Sequence, residues 1–176
     1  REYILNLQSN LPADQDFVTA LRTHLDKFSK FSDIRTKLEL PKPEYRLNLS
    51  PHIEAQLMRI VQEALTNIRK HAKACQAVVT IDENQNYIRV SIADNGHGFQ
   101  IETVPTPNGH HVGLQIMGER AAEIGGEIDI RSEPDHGTKI VVHVPKTATA
   151  DNLPQTANGS GHSFSTPPSD KVSQRV

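Results

Sequence analysis

The amino-acid sequence predicts an α/β fold, a two-layer sandwich with helices on one face of a mixed, largely antiparallel sheet. Two observations carry this. Several segments place apolar residues three and four apart, the spacing of one helix face, and several short runs alternate apolar with polar residues, the spacing of half-buried strands. The two kinds alternate along the chain as helix, strand, helix, two strands, helix, two strands.

Residues 1–13 begin "REYILNLQSN", with Ile4 and Leu7 at helical spacing, and read as the end of a helix begun upstream, followed by a linker. The domain proper is expected over residues 14–146. Asp14 offers a capping side chain for a helix in which Phe17, Leu21, Leu25 and Phe28 form one stripe. "IRTKLEL" (Ile34 to Leu40) alternates as a strand does, and "PKPEY" stops it. Ser50-Pro51 supplies a capping hydroxyl and a proline at the first helical position. From there Ile53, Leu57, Ile60, Val61, Ala64, Leu65 and Ile68 make a broad apolar face that predicts a helix to about Ala74.

"AVVTID" and "YIRVSIAD", joined by the polar turn "ENQN", predict an antiparallel pair. Next comes "QIETVPTPNGHHV", polar and rich in turn formers, then a helix marked by Leu114, Met117, Ala121 and Ile124 and closed by Gly125-Gly126. "EIDIRS", the turn "EPDHG" and "TKIVVHV" supply two more strands, ended by Pro145. Residues 147–176 are Ser, Thr, Pro, Asn and Gly with few apolar residues. They read as a disordered polar tail, because burial there cannot offset the entropy of ordering.

Composition narrows the function. A 36% hydrophobic and 23% charged content is that of a globular protein, and 176 residues suffice for one substantial core. With 5% aromatics, no Trp and a net charge of -2, neither direct nucleic-acid binding nor attraction to an anionic membrane is favoured. A single cysteine, Cys75, leaves no internal disulfide and no cysteine zinc cluster, and suits a reducing cytoplasm. No apolar run reaches membrane-span length and no signal-peptide pattern opens the chain. Lacking an initiator Met, the sequence reads as a fragment of a longer protein.

Three short stretches offer chemistry. In "EALTNIRKHA", Glu63, Asn67 and Lys70 share one stripe bordering the apolar face of their helix. A solvated helix edge accounts for that pattern. So does a Mg²⁺ site, because a hydrated Mg²⁺ needs only one or two protein oxygens beside phosphates, with Lys70 facing a phosphate. In "DNGHGF", a turn after a strand explains Asn-Gly, while Gly96 and Gly98 would equally let a flat ring approach the backbone, with Asp94 accepting from an exocyclic amine. In "NGHHVGLQIM", Gly113 opens a helix whose N-terminus is either a plain helix start or an anion site. "HGTKIVV" adds Gly137-Thr138 at the start of the last strand, where a hairpin turn is the simple account. His97, His110 and His111 lack the spacing of a metal helix or finger.

Taken together, "EALTNIRKHA", "DNGHGF", "VGLQIM" and the late "GT" resemble, in order and spacing, the ATP-binding domain of bacterial sensor histidine kinases, within the wider family of DNA gyrase, Hsp90 and MutL. "GLQIMGERAAEIGGEIDIRS" resembles the nitrate/nitrite sensor branch more narrowly. The resemblance spans about Asp14 to Pro145 and implies a Bergerat-type ATP-binding fold. It implies that Asn67 ligates Mg²⁺, that Glu63 is the acid beside it, and that Lys70 and His71 lie near the phosphates. Asp94 would bind the adenine amino group, with Gly96, Gly98 and Phe99 around the base and Thr138 assisting. Gln100 to Val112 would form a lid over ATP or ADP, hinged at Gly113-Leu114, with Val112, Gly113 and Leu114 among the ATP-binding residues. The commoner pattern has Gly where His111 stands, and no separate phenylalanine box is visible.

The same resemblance implies phosphoryl transfer from Mg-ATP to a His on a helical dimerisation domain, then signalling to a response regulator with a helix-turn-helix output. The whole protein would be a homodimeric, membrane-anchored sensor with this domain in the cytoplasm, and the isolated fragment a monomer. The acceptor signature, similar to Glu-Leu-His-Asp, is absent. His24 in "RTHLDKF" is the single histidine on a helix before the core and matches it poorly. A non-catalytic ATP-sensing module and an ATP-hydrolysing clamp are the competing functions of this fold.

Overall fold

The computed structural model describes residues 16–100 and 112–146. The expectations for residues 1–13, for Asp14, for the interior of the lid with His110 and His111, and for the tail lie outside the described residues.

The first helix, α1 (Phe17–Ser32), is capped by Asp16, whose carboxylate accepts from the Thr19 amide at 3.2 Å and the Thr19 hydroxyl at 2.7 Å. The cap is thus two residues later than Asp14. Asp16 directly precedes Phe17 and so reaches the free amide of the first turn. Phe17, Leu21, Leu25 and Phe28 are buried together, as their spacing requires. Strand β1 (Arg35–Glu39) follows.

In α2 (Pro51–Asn67) the Ser50 hydroxyl caps the Ile53 amide, and Pro51 occupies the first turn. The α-geometry stops at Asn67. Ile68–Ala72 form one wide π turn instead of continuing to Ala74, and Lys73 closes it at φ 49. The widened turn carries the Ala72 carbonyl to the His97 amide, 2.8 Å away, so a distant loop takes up a carbonyl that the helix end leaves free.

Strands β2 (Gln76–Glu83) and β3 (Tyr87–Asp94) form the antiparallel pair that the alternation predicts, and Asn84 Oδ1 accepts from both Asn86 and Tyr87 amides in the turn. Helix α3 (Val112–Glu123), β4 (Glu127–Ser132) and β5 (Thr138–Pro145) complete the described chain. The strand order is β1-β2-β3-β5-β4, with β1 parallel to β2 through the α2 crossover and every other pair antiparallel.

One sheet face is apolar and covered. Val79 and Ile81, Val90 and Ile92, Val142 and Val144 are buried in one core with Leu57, Ile60, Val61 and Leu65 of α2 and Met117 and Ala121 of α3. On the opposite face Lys37–Glu39, Arg89–Asp82 and Arg131–Asp129 pair at 2.8–2.9 Å. These pairs are largely solvated and each contributes little to stability. The buried Gln56 ties the helix layer together, donating to Glu123 Oε2 at 2.8 Å and accepting from Arg120 Nη1 at 3.0 Å. That junction fixes the far end of α3 on α2, so the near end of α3 meets α2 at Asn67.

Candidate functional site

The loop after β3 is stapled residue by residue. The Asp94 carboxylate accepts from the Gly96 amide at 2.7 Å and from the Thr138 amide, so its neighbours on both sides orient it. Asn95 Oδ1 accepts from the amides of Cys75 (3.2 Å) and Gln76 (3.0 Å), closing the loop onto the start of β2. His97 donates its amide to Ala72, and Phe99 donates its amide to Ser132 Oγ at 2.8 Å. The polar residues that look like a simple turn in sequence are a latch between α2, β3 and the β4–β5 hairpin.

Glycine is required at two of these positions for conformation. Gly98 (φ +59) and Gly137 (φ +75) lie in the left-handed region, and a Cβ on either would strike backbone carbonyls, Glu133 and Gly137 in one case and Asp94 in the other. Gly96 is needed for space, because its Cα packs directly on the Ala72 carbonyl.

Beside this latch lies a cavity of about 450 Å³. Asn67 and His71 line it from α2 and the π turn, Asp94, Gly98 and Phe99 from the loop, Gly113 and Leu114 from α3, and Thr138 from β5. Ile92 and Ile140, partners across β3 and β5, make an apolar floor with Ile68 and Ala72 as one wall. The size and the mostly apolar lining with a few convergent polar groups suit a flat ring bearing polar substituents. Burial pushes the Asp94 carboxyl up from its usual range, opposed by the two amides that face it.

The other sequence-predicted residues stand around the rim. Glu63 lies one turn before Asn67, and its Oε1 would be 2.6 Å from a Cβ on Gly113, so a side chain at residue 113 would make the flexible end of the acid turn aside. Lys70 is exposed on the π turn, Gly96 packs behind the loop, and Val112 is exposed at the start of α3; none of the three lines the cavity. Among the described residues no hydrogen bond or ion pair engages the side chains of Glu63, Asn67, Lys70 or His71.

Sequence reasoning missed Ser132, the Ala72 carbonyl and the isoleucine floor. The alternation of β3 and β5 marks Ile92 and Ile140 as inward-facing, but their facing a cavity depends on strand pairing. His24 is partly buried on α1, and burial, then Lys27, holds its imidazole below the usual range. That favours a neutral ring.

Comparison with known proteins places the chain in a family. The chain is 33% identical over 145 residues to the sensor histidine kinase LiaS of Bacillus subtilis, covering 82% of this chain and 38% of that protein. It is 32% identical over 123 residues to the nitrate/nitrite sensor protein NarX of Escherichia coli, covering 70% of this chain and 20% of NarX. The chain therefore spans well under half the length of these curated relatives. A solved histidine kinase domain of the Erythrobacter litoralis EL346 blue-light activated histidine kinase shares the fold, with a TM-score of 0.61 and 19% identity over 86% of this chain and 72% of that one. Residues 52–148, which carry α2, the latch, α3 and the last hairpin, match the family described as histidine kinase-, DNA gyrase B- and HSP90-like ATPases, and the chain belongs to that family.

Proposed function

We propose that this chain binds Mg-ATP in the cavity and supplies the γ-phosphoryl for phosphorylation of a histidine on a dimerisation domain outside this sequence, as the ATP-binding part of a two-component sensor kinase. The observation that carries the reading is the Asp94 carboxylate, partly buried at the cavity and oriented by two backbone amides beside Gly98 and Thr138. A carboxylate so held accepts from an exocyclic amine, and a base without that amine leaves a buried charge unpaired. The apolar floor takes the ring face, and the nucleotide's phosphates extend toward Gly113, Asn67 and His71.

The donor set at that end fits a hard cation. Asn67 presents an amide to the cavity and Glu63 a carboxylate one turn away, and neither is engaged by a described neighbour. One or two such oxygens suit Mg²⁺, which keeps waters and takes its other ligands from phosphates. When bound, the ion offsets phosphate charge. Glu63 and Asn67 orient the phosphate end, Lys70 and His71 supply donors near it, and Thr138 and Asp94 hold the base. In phosphoryl transfer positioning and electrostatics supply most of the rate, so a site with few reactive side chains is sufficient. The acceptor histidine, the homodimeric assembly, the membrane-anchored sensor and the response regulator with a helix-turn-helix output belong to the proposed whole protein.

The test is transfer from labelled ATP. This chain should bind ATP without labelling itself, since His24 is partly buried on α1 and does not line the cavity. A chain extended upstream through the dimerisation helices should gain acid-labile label, and Glu63→Ala or Asn67→Ala should remove it. Steady hydrolysis by the fragment alone would favour an ATP-hydrolysing clamp, and binding with no transfer in the extended dimer would favour an ATP-sensing module.

A further inference from the structure

Ser132 ends β4 opposite Thr138, its register partner at the start of β5. Its hydroxyl meets three groups from three segments: the Phe99 amide at 2.8 Å, the Gly137 carbonyl at 3.1 Å and the Thr138 hydroxyl at 2.9 Å. A serine hydroxyl carries one proton and two acceptor sites. The Phe99 N–H takes one acceptor site. If the proton goes to Thr138, the buried Gly137 carbonyl loses this donor. If it goes to Gly137, the Thr138 hydroxyl donates into the remaining acceptor site and every one of the four groups is satisfied. The second assignment spends the Thr138 proton on Ser132 and leaves the Thr138 oxygen an acceptor.

We infer that Ser132 is a positioning residue for the base end of the cavity: through Thr138 and Phe99 it sets that end as acceptor-only beside Asp94, so that the site selects a ring edge bearing an amino donor over one bearing a carbonyl. This rests on the reading of Asp94 and Thr138 as the base-binding end. Ser132 lies outside the cavity lining and acts on the ligand only through its two partners. Its place in the hairpin also ties the latch together: one side chain joins the loop after β3 to the turn before β5.

The test compares binding of ADP and inosine diphosphate, which differ by an amino group against a carbonyl, measured by calorimetry on this chain. The unaltered protein should prefer ADP by a hundredfold or more, on the order expected for a buried polar mismatch. Ser132→Ala should lower ADP affinity by about tenfold while changing inosine diphosphate binding little, so the preference shrinks by roughly that factor. Ser132→Thr, which keeps the hydroxyl, should restore it. Combined with Thr138→Val, Ser132→Ala should have a much smaller further effect on the preference, because its route through the Thr138 hydroxyl is gone and only that through the Phe99 amide remains. An unchanged preference in Ser132→Ala, or full additivity with Thr138→Val, would overturn the role given to Ser132 while leaving the base-end reading intact. No preference in the unaltered protein would overturn both. If Ser132→Ala fails to fold, Ser132→Cys against Ser132→Thr gives the same comparison, with a thiol too weak a hydrogen-bonding group to hold Thr138; equal preference in those two also overturns it.

Discussion

The two ends of the cavity are built differently. At the end proposed for the base the polar groups are bonded to one another: Asp94 to the amides of Gly96 and Thr138, Ser132 to Phe99, Gly137 and Thr138, and His97 to Ala72. The surfaces that crowd its glycines are backbone carbonyls. At the end proposed for the phosphates Glu63, Asn67, Lys70 and His71 have no such bonds among the described residues, and what crowds Gly113 is the tip of the Glu63 side chain. The base end has its geometry before a ligand arrives, which favours discrimination between rings because nothing need reorganise to accept the right one. The polar groups of the other end are partly or fully solvated, so they can turn toward a charged partner without breaking bonds within the fold.

The largest expected effect contrasts the two ends directly. Gly137→Ala forces a side chain into the left-handed region and against the Asp94 carbonyl, which cannot move without opening the sheet. It should destabilise the fold by about 3 kcal/mol and lower the melting temperature by roughly 10–20 °C. Gly113→Ala meets only flexible side-chain ends and should cost less than about 1 kcal/mol, while weakening nucleotide binding because Glu63 and Asn67 must turn away. Melting curves of the two variants check this, and similar losses would show that the phosphate end is as rigid as the base end.

Next in size, Asp94→Asn replaces the charged acceptor while keeping its shape. ADP affinity should fall by about a hundredfold with little change in melting temperature, since relief of a partly buried charge offsets the weaker bonds to Gly96 and Thr138. Calorimetry with ADP reads it, and a loss confined to the fold would mean that the carboxylate serves the latch alone. Asn67→Ala should reduce ATP affinity by roughly tenfold in the presence of Mg²⁺ and much less with the metal chelated, because one ligand oxygen is removed. Equal losses with and without metal would assign Asn67 to the nucleotide rather than the ion.

The smallest effect is a pH dependence. Burial raises the folded pKa of Asp94 above its usual 3.8. Between the two values the folded protein holds a proton that the unfolded chain has released, so ligand-free stability falls as pH rises through that window. Nucleotide binding runs the other way, strengthening with pH as the carboxylate forms. Titrating ADP affinity from mildly acidic to neutral pH should show this rise in the unaltered protein and a flatter profile in Asp94→Asn.

Much of the architecture was legible because its causes are local. The alternation of "YIRVSIAD" delimits β3 at Tyr87–Asp94, and Ser50-Pro51 marks the start of α2, since side-chain period and capping chemistry act within a few residues. The residues gathered around the cavity were legible too, because "EALTNIRKHA", "DNGHGF", "VGLQIM" and "GT" keep their order and spacing. By itself, then, the amino-acid sequence determined the helices, the strands, the inward faces and the residue types offered at the site. The parallel pairing of β1 with β2, the π turn at Ile68–Ala72 and the helix cap at Asp16 instead of Asp14 were settled in three dimensions. So were the latch and the position of Ser132, whose partner Phe99 is 33 residues away along the chain. A hydroxyl in "EIDIRS" has no distinguishing local signal, and its bonds arise because β4, β5 and the loop after β3 are brought to one place by burial of the core. Hydrogen bonds are short-ranged, so contacts between distant residues exist only after that packing has put them within about 3 Å.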